Sequence, residues 1–72
     1  MIRATKKAAY AAEIRTILRQ VPKPKLNKML RQPFTDRAMQ IVSFEVVIQT
    51  AFADLPDDTH PDSLRKSLGI PS

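Results

Sequence analysis

The sequence contains no cysteine and no tryptophan, and only one glycine and one histidine among its 72 residues. Without cysteine, the chain can form no disulfide, no thiolate metal site and no cysteine nucleophile. The single histidine, His60, cannot build a zinc site alone. The single glycine, Gly69, excludes a glycine-rich phosphate-binding loop. We therefore expect neither a bound metal nor another cofactor.

Catalytic groups are equally scarce. General acid–base chemistry needs carboxylates or a histidine held in a pocket near a nucleophile. The only cluster of this kind is "PDDTHPD", with Asp57, Asp58, His60 and Asp62. Its spacing matches no metal-binding loop, and no glycine lies within it to form a tight coordinating turn. We interpret it as a solvated acidic loop and predict that the protein is not an enzyme.

No apolar run approaches the roughly 20 residues that span a bilayer. The lack of cysteine is compatible with the cytoplasm, where we expect the protein to be found. The segment through Arg19 is basic, rich in alanine and poor in acidic residues, so it also resembles an organelle transit peptide. A folded amphipathic helix explains the same composition, and we favour that interpretation.

Charge is distributed unevenly along the chain, whose net charge is +5. Residues 1–37 hold ten lysines and arginines against two acidic residues, whereas residues 38–72 hold two against five. This asymmetry indicates that the N-terminal half faces an acidic partner. The alternative is that the charge serves only solubility.

Hydrophobic periodicity predicts a first helix over residues 5–20, capped by Thr5. Pro22 and Pro24 end this helix because neither can donate a backbone hydrogen bond. After an extended lysine- and proline-rich connector, a second short helix is predicted over 25–32, closed by Pro33. The apolar residues of helix one are Tyr10, Ile14, Ile17, Leu18 and Val21, and those of the second helix are Leu26, Met29 and Leu30.

The segment 36–54 is ambiguous. Thr35 is a suitable N-cap, and one helical stripe contains Ile41, Phe44, Ile48, Ala51, Phe52 and Leu55. Residues 42–49 also alternate like a strand and are rich in β-branched residues. We favour a helix, since no second strand exists to pair with it.

A last helix is predicted over 63–68, capped by Asp62 or Ser63 and ended by Gly69. The expected fold is all-α, a single small domain over residues 1–72. It forms a bundle of three to four short helices (about 5–20, 25–32, 36–54 and 63–68). Helix one should pack antiparallel against the helix over 36–54.

Two surfaces are candidates for binding. The first is a basic face that would dock on an acidic protein surface or, alternatively, contact the phosphates of nucleic acid. The second is a further apolar stripe on the helix over 36–54, which would form a homodimer or contact a partner. The basic face comprises Arg15, Arg19, Lys23, Lys25, Lys28 and Arg31, and the apolar stripe comprises Val42, Val46 and Ala53 with Glu45 and Gln49 beside it.

The second stripe could instead be covered by the connector and the terminal helix. Glu45 could be a buried partner of an arginine of helix one or of a lysine of a symmetry mate, but we favour the interpretation that it reaches solvent at the edge of the stripe. In size and composition the chain resembles small regulators and inhibitors from phages and mobile elements. We therefore predict a non-enzymatic binding protein of that kind. The alternatives are a small nucleic-acid-binding protein and an accessory subunit of a larger complex.

Overall fold

A computed structural model describes residues 4–71, and it confirms the all-α prediction. The described residues contain six helices and no strand. The strand alternative for residues 42–49, which we favoured less than a helix, is therefore wrong. The helices are α1 (Lys6–Ala9), α2 (Ala11–Arg19), α3 (Lys23–Lys28), α4 (Asp36–Met39), α5 (Phe44–Asp54) and α6 (Pro61–Leu68).

The predicted first helix is interrupted at Tyr10. Thr5 caps α1 as predicted, since its hydroxyl accepts the Ala8 N–H at 3.0 Å. Tyr10 then leaves helical geometry (φ −109°, ψ 22°) before α2 begins. Its ring lies 4.9 Å from the ring of His60 and it remains 39% exposed, so it does not belong to the buried stripe as predicted.

The second helix begins earlier than predicted, at Lys23 instead of residue 25, and ends at Lys28. Pro22 occupies the N-cap position, and Pro24 lies in the first turn. A proline is tolerated there because the first N–H groups of a helix have no intrahelical partner. Pro24 therefore helps to start α3, and the extended connector is shorter than its composition indicated.

The predicted helix over 36–54 is broken between Met39 and Phe44. Lys23 contributes to this break, because its Nζ donates to the carbonyl oxygens of Met39 (2.7 Å) and Val42 (2.6 Å). Ser43 then caps α5, its hydroxyl accepting the Val46 N–H at 3.3 Å. The turn projects Ile41 into solvent with 79% of its surface exposed, so its prediction as a core residue is wrong.

The core lies where α2, α3 and α5 meet, with α6 packed on α2. The predicted apolar residues of α2 and α3 are buried, apart from the half-buried Met29. On α5 the buried side includes Val47, which the predicted stripe omitted. The buried core consists of Ile14, Ile17, Leu18, Val21, Leu26, Leu30, Val47, Ile48, Ala51 and Leu64.

Side-chain contacts show that α2 and α5 run antiparallel, as predicted. Arg19, at the end of α2, bonds to Glu45 in the first turn of α5. Lys7, just before α2, donates to the carbonyl of Leu55 at the other end of α5 (2.9 Å). The chain measures 40 × 33 × 17 Å, and the shortest dimension corresponds to about two packed helices. One side of α5 is therefore left without a covering layer.

The last helix is longer than predicted and is capped by a different residue. It begins at Pro61, and the Nδ1 of His60 accepts the Asp62 N–H at 3.1 Å. Gly69 ends it in the left-handed conformation (φ 69°), as predicted. A side chain with a Cβ is disfavoured in that conformation, which explains why the only glycine lies here.

Candidate protein-binding surface

The uncovered side of α5 carries four solvent-exposed residues, Glu45, Val46, Gln49 and Ala53. Val46 is 41% exposed, and it adds aliphatic surface to the side of α5 that faces away from the core. We call these four residues, together with Ile41 in the preceding turn, the α5 outer strip. All but Ile41 were predicted contact residues.

Val42, the remaining predicted contact residue, is half-buried and packs against the core. It immediately precedes the N-cap Ser43, and Val47 lies at the fourth helical position. An apolar pair at these two positions is the arrangement that fixes how a chain enters a helix. Val42 therefore stabilises the start of α5, and it is not part of the α5 outer strip.

Two arginines from α2 border one edge of the α5 outer strip. Arg19 donates two hydrogen bonds to the carboxylate of Glu45, at 3.2 and 3.3 Å. The Arg15 guanidinium lies 4.7 Å from the centre of the Phe52 ring, within the range of a cation–π interaction. This edge thus presents two guanidinium groups, of which only Arg19 is paired with a carboxylate among residues 4–71.

The Arg19–Glu45 pair is exposed on both sides, with 47% and 58% of the two side chains accessible. The hydrogen bond from Arg19 lowers the pKa of Glu45, and the same bond raises the pKa of Arg19. Because solvent and salt screen such a pair, it orients the two side chains more than it stabilises the fold. Glu45 therefore reaches solvent, as we favoured, and its bond to Arg19 of helix one is an exposed pair and not the buried pair that was the alternative.

Arg31 borders the opposite edge. Its backbone N–H donates to the Asp54 carboxylate at 3.1 Å, which places the chain after α3 beside the end of α5. Arg31 also lines a depression with Phe34, Thr50 and Asp54. Within residues 4–71 no carboxylate forms a salt bridge with the Arg31 guanidinium. An arginine therefore lies on each edge of the strip, beside Glu45 on one edge and Asp54 on the other.

Three lysines are used within the fold. Lys7 donates to carbonyl oxygens at the end of α5, Lys23 to those after α4, and Lys25 to the Leu68 carbonyl at the end of α6 (3.3 Å). Cations are favoured at helix C-termini, where carbonyl groups lack partners and the dipole is negative. Lys23 and Lys25, both predicted to bind a partner, therefore hold helix ends in this structure.

The six predicted cations do not form one continuous face. Arg15, Arg19 and Arg31 border the α5 outer strip, and Lys23 is turned inward. Lys28 is exposed on α3 and makes no side-chain hydrogen bond or salt bridge within the described part of the chain. The contribution of Ile41 was missed because a break after Met39 depends on Lys23, a residue distant in sequence. The serine at position 43 was the available signal, since serine favours N-cap positions.

The acidic loop has a structural role. His60 uses its Nδ1 to cap α6, and Asp62 pairs with Arg65 at 3.2 Å. Arg65 also pairs with Glu13 of α2 at 3.1 Å, which ties α6 to α2. Across residues 4–71, no group of three or more histidine or acidic side chains is placed to hold a metal ion.

The fold and surface define a small helical protein with one uncovered helix side. None of its helices, as far as the chain is described, has the length and apolar character needed to cross a membrane. No protein-family model, curated protein or solved structure matches the chain. Its function therefore has to be inferred from its own residues.

Proposed function

We propose that this protein acts by binding, not by catalysis, and that the α5 outer strip docks on an acidic surface of another protein. One observation carries the proposal: exposed aliphatic residues of the strip lie between arginines supplied by two different parts of the chain. Apolar contact supplies affinity at the centre of an interface, and charges at its rim select the partner and speed its encounter.

The aliphatic part of the strip comprises Ile41, in the break that precedes α5, and Val46, in the first turn of α5. Ile41 is 79% exposed and Val46 is 41% exposed. In a chain of 72 residues, apolar side chains are needed for the core, which supplies most of the stability. Keeping Ile41 and Val46 outside that core is most simply explained by a contact that buries them in a complex.

The arginines favour an acidic partner over a second copy of the chain. Arginines lie on both edges of the strip, so face-to-face pairing of two strips brings the arginines of both copies to the same rims, where Glu45 of each copy is already bonded to Arg19. Like charges juxtaposed across an interface are destabilising. The homodimer is therefore the weaker of the two predicted uses of this surface.

Nucleic acid is a weaker candidate because the structure divides the predicted basic face. Phosphate binding depends on several cations that follow one backbone. Lys23 is turned inward onto the Met39 and Val42 carbonyls, and a partly aliphatic strip separates Arg15 and Arg19 from Arg31. The predicted basic face is therefore divided and offers no continuous line of cations to a phosphate backbone.

A photoreactive residue placed at Gln49 tests the proposal in cells that express the protein. We expect Gln49→benzoylphenylalanine to cross-link to one dominant acidic protein. The same residue at Lys66, an exposed position on α6, should not. Adding Val46→Asp should remove the adduct. A nuclease-sensitive adduct, an adduct with the chain itself, or equal labelling from both positions would contradict the proposal.

A further inference from the structure

Resting on the proposed function, we infer that the partner presents an amphipathic α-helix to the α5 outer strip, with aliphatic residues at its centre and carboxylates on both flanks. This inference adds the shape and the charge pattern of the bound element. Two observations carry it: the spacing of the outward residues of α5, and the positions of the bordering arginines.

The outward residues follow the spacing of a coiled-coil seam. Val46, Gln49 and Ala53 are separated by three and four residues. Side chains at such spacings form a nearly straight line along a helix, and this line accepts the knobs of a second helix that crosses at about 20°.

The dimensions of the surface also suit a helix. Residues 44–54 of α5 span about 16 Å at 1.5 Å per residue, roughly three turns. Ala53 is small, so a second helix can approach closely at that end of the strip. Gln49, exposed near the middle, supplies an amide that a polar residue of the partner can meet. A single polar pair within an apolar seam fixes the register of two helices.

The arginines predict where the partner's carboxylates lie. Arg15 and Arg19 stand on one edge, beside Phe52 and Glu45, and Arg31 stands on the other, beside Asp54. They lie beside the seam, as the charged flanking residues of a coiled coil do, although here other parts of the chain supply them. A helix with glutamate or aspartate on both flanks complements them, whereas a helix with lysine flanks is repelled.

Two synthetic peptides test this inference against the full chain. Each contains about three heptads, with leucine in the seam and one central asparagine. One carries glutamate on both flanks, and the other carries lysine in every such position. Binding is followed by fluorescence anisotropy at about 0.15 M salt. We expect the glutamate peptide to bind saturably and at least about tenfold more tightly than the lysine peptide.

Matched variants locate the peptide on the chain. Val46→Asp places an unpaired charge in the seam and should weaken the glutamate peptide at least about tenfold. Aspartate is compatible with the first turn of α5, and circular dichroism verifies the fold. Ser63→Asp adds the same charge to the first turn of α6 and should leave binding unchanged. Arg15→Gln should reduce the difference in affinity between the glutamate peptide and the lysine peptide.

Equal binding of both peptides, no binding of either, or equal effects of Val46→Asp and Ser63→Asp would overturn this inference. The cross-linking experiment at Gln49 tests the proposed function separately from this inference. If Gln49 captures an acidic protein in cells while the glutamate peptide does not bind, the strip contacts protein by something other than a helix. If Gln49 captures no protein, the proposed function is itself wrong.

Discussion

The two longest helices, α2 and α5, share one core but differ on their outward sides. In α2, Ile14, Ile17 and Leu18 are buried, and the side away from the core is polar and basic. In α5, Val47, Ile48 and Ala51 are buried, yet the outward side still carries Val46 and Ala53.

This difference distinguishes apolar residues that the core needs from apolar residues that it does not need. The apolar width of α2 matches what its neighbours cover, so burial within the chain accounts for that helix. The apolar width of α5 exceeds what α2 and α3 cover. This surplus is the observation from which we propose a contact outside the fold.

The largest expected effect on stability comes from comparing a substitution on the buried side of α5 with one on its exposed side. Ile48→Ala removes a side chain with no exposed surface, and we expect it to lower the free energy of unfolding by about 2–5 kcal/mol. Val46→Ala, two residues away, should change it by no more than about 0.5 kcal/mol. Urea unfolding followed by circular dichroism measures both. Comparable losses would mean that Val46 contributes to the core and that the outer strip is not surplus.

A smaller effect on stability is expected from removing the ammonium group of Lys23, which holds the turn before α5. Lys23→Met keeps the length of the side chain but removes hydrogen bonds to the Met39 and Val42 carbonyls. We expect a loss of about 1–3 kcal/mol, because two carbonyl groups lose a charged donor. Lys28→Met, on the exposed side of α3, is the matched control and should cost no more than about 0.5 kcal/mol. Equal costs would show that Lys23 does not hold the turn.

The smallest effect concerns the exposed pair that joins the two helices. The pKa of Glu45 is lowered in the folded chain by its bond to Arg19. The pair therefore contributes its stability above the ordinary pKa of a glutamate. That contribution is lost as the pH falls through the lowered value. Arg19→Gln should return the pKa of Glu45 toward its ordinary value, as followed by NMR titration of the side-chain carboxyl carbon.

Arg31→Gln is the control for this titration, since Arg31 lies on the other edge of the strip and should leave the pKa of Glu45 unchanged. High salt should reduce the shift in the original chain, because both partners are exposed. An identical titration of Glu45 with and without Arg19 would mean that the pair does not persist in solution.

The features predicted correctly from the sequence depend on neighbouring residues. Thr5 and Thr35 cap helices because a hydroxyl reaches an N–H three residues ahead. Gly69 ends α6 because it adopts a positive φ without strain. The buried stripe of α2 follows from the helical period alone.

The features that were mispredicted depend on residues distant in sequence. A continuous helix over 36–54 placed Ile41 in line with Ile48, but Lys23 binds the carbonyls between them and the chain turns. The buried side of α5 includes Val47 because α3 packs on that side as well as α2. No periodicity within residues 36–54 contains this information.

The candidate surface divides in the same way. Glu45, Val46, Gln49 and Ala53 were predicted as one group because they share a helical face, which is a local property. Tertiary packing alone decided which cations border that face. Arg15, Arg19 and Arg31 lie at its edges because α2 and the chain after α3 flank α5, whereas Lys23 and Lys25 were drawn to helix carbonyls. The sequence by itself determined the all-α class, the caps at Thr5 and Thr35, the end of α6 at Gly69 and the buried stripe of α2, because these depend on neighbouring residues. The packing of helices distant in sequence decided where the helices break and which apolar sides and charges reach solvent.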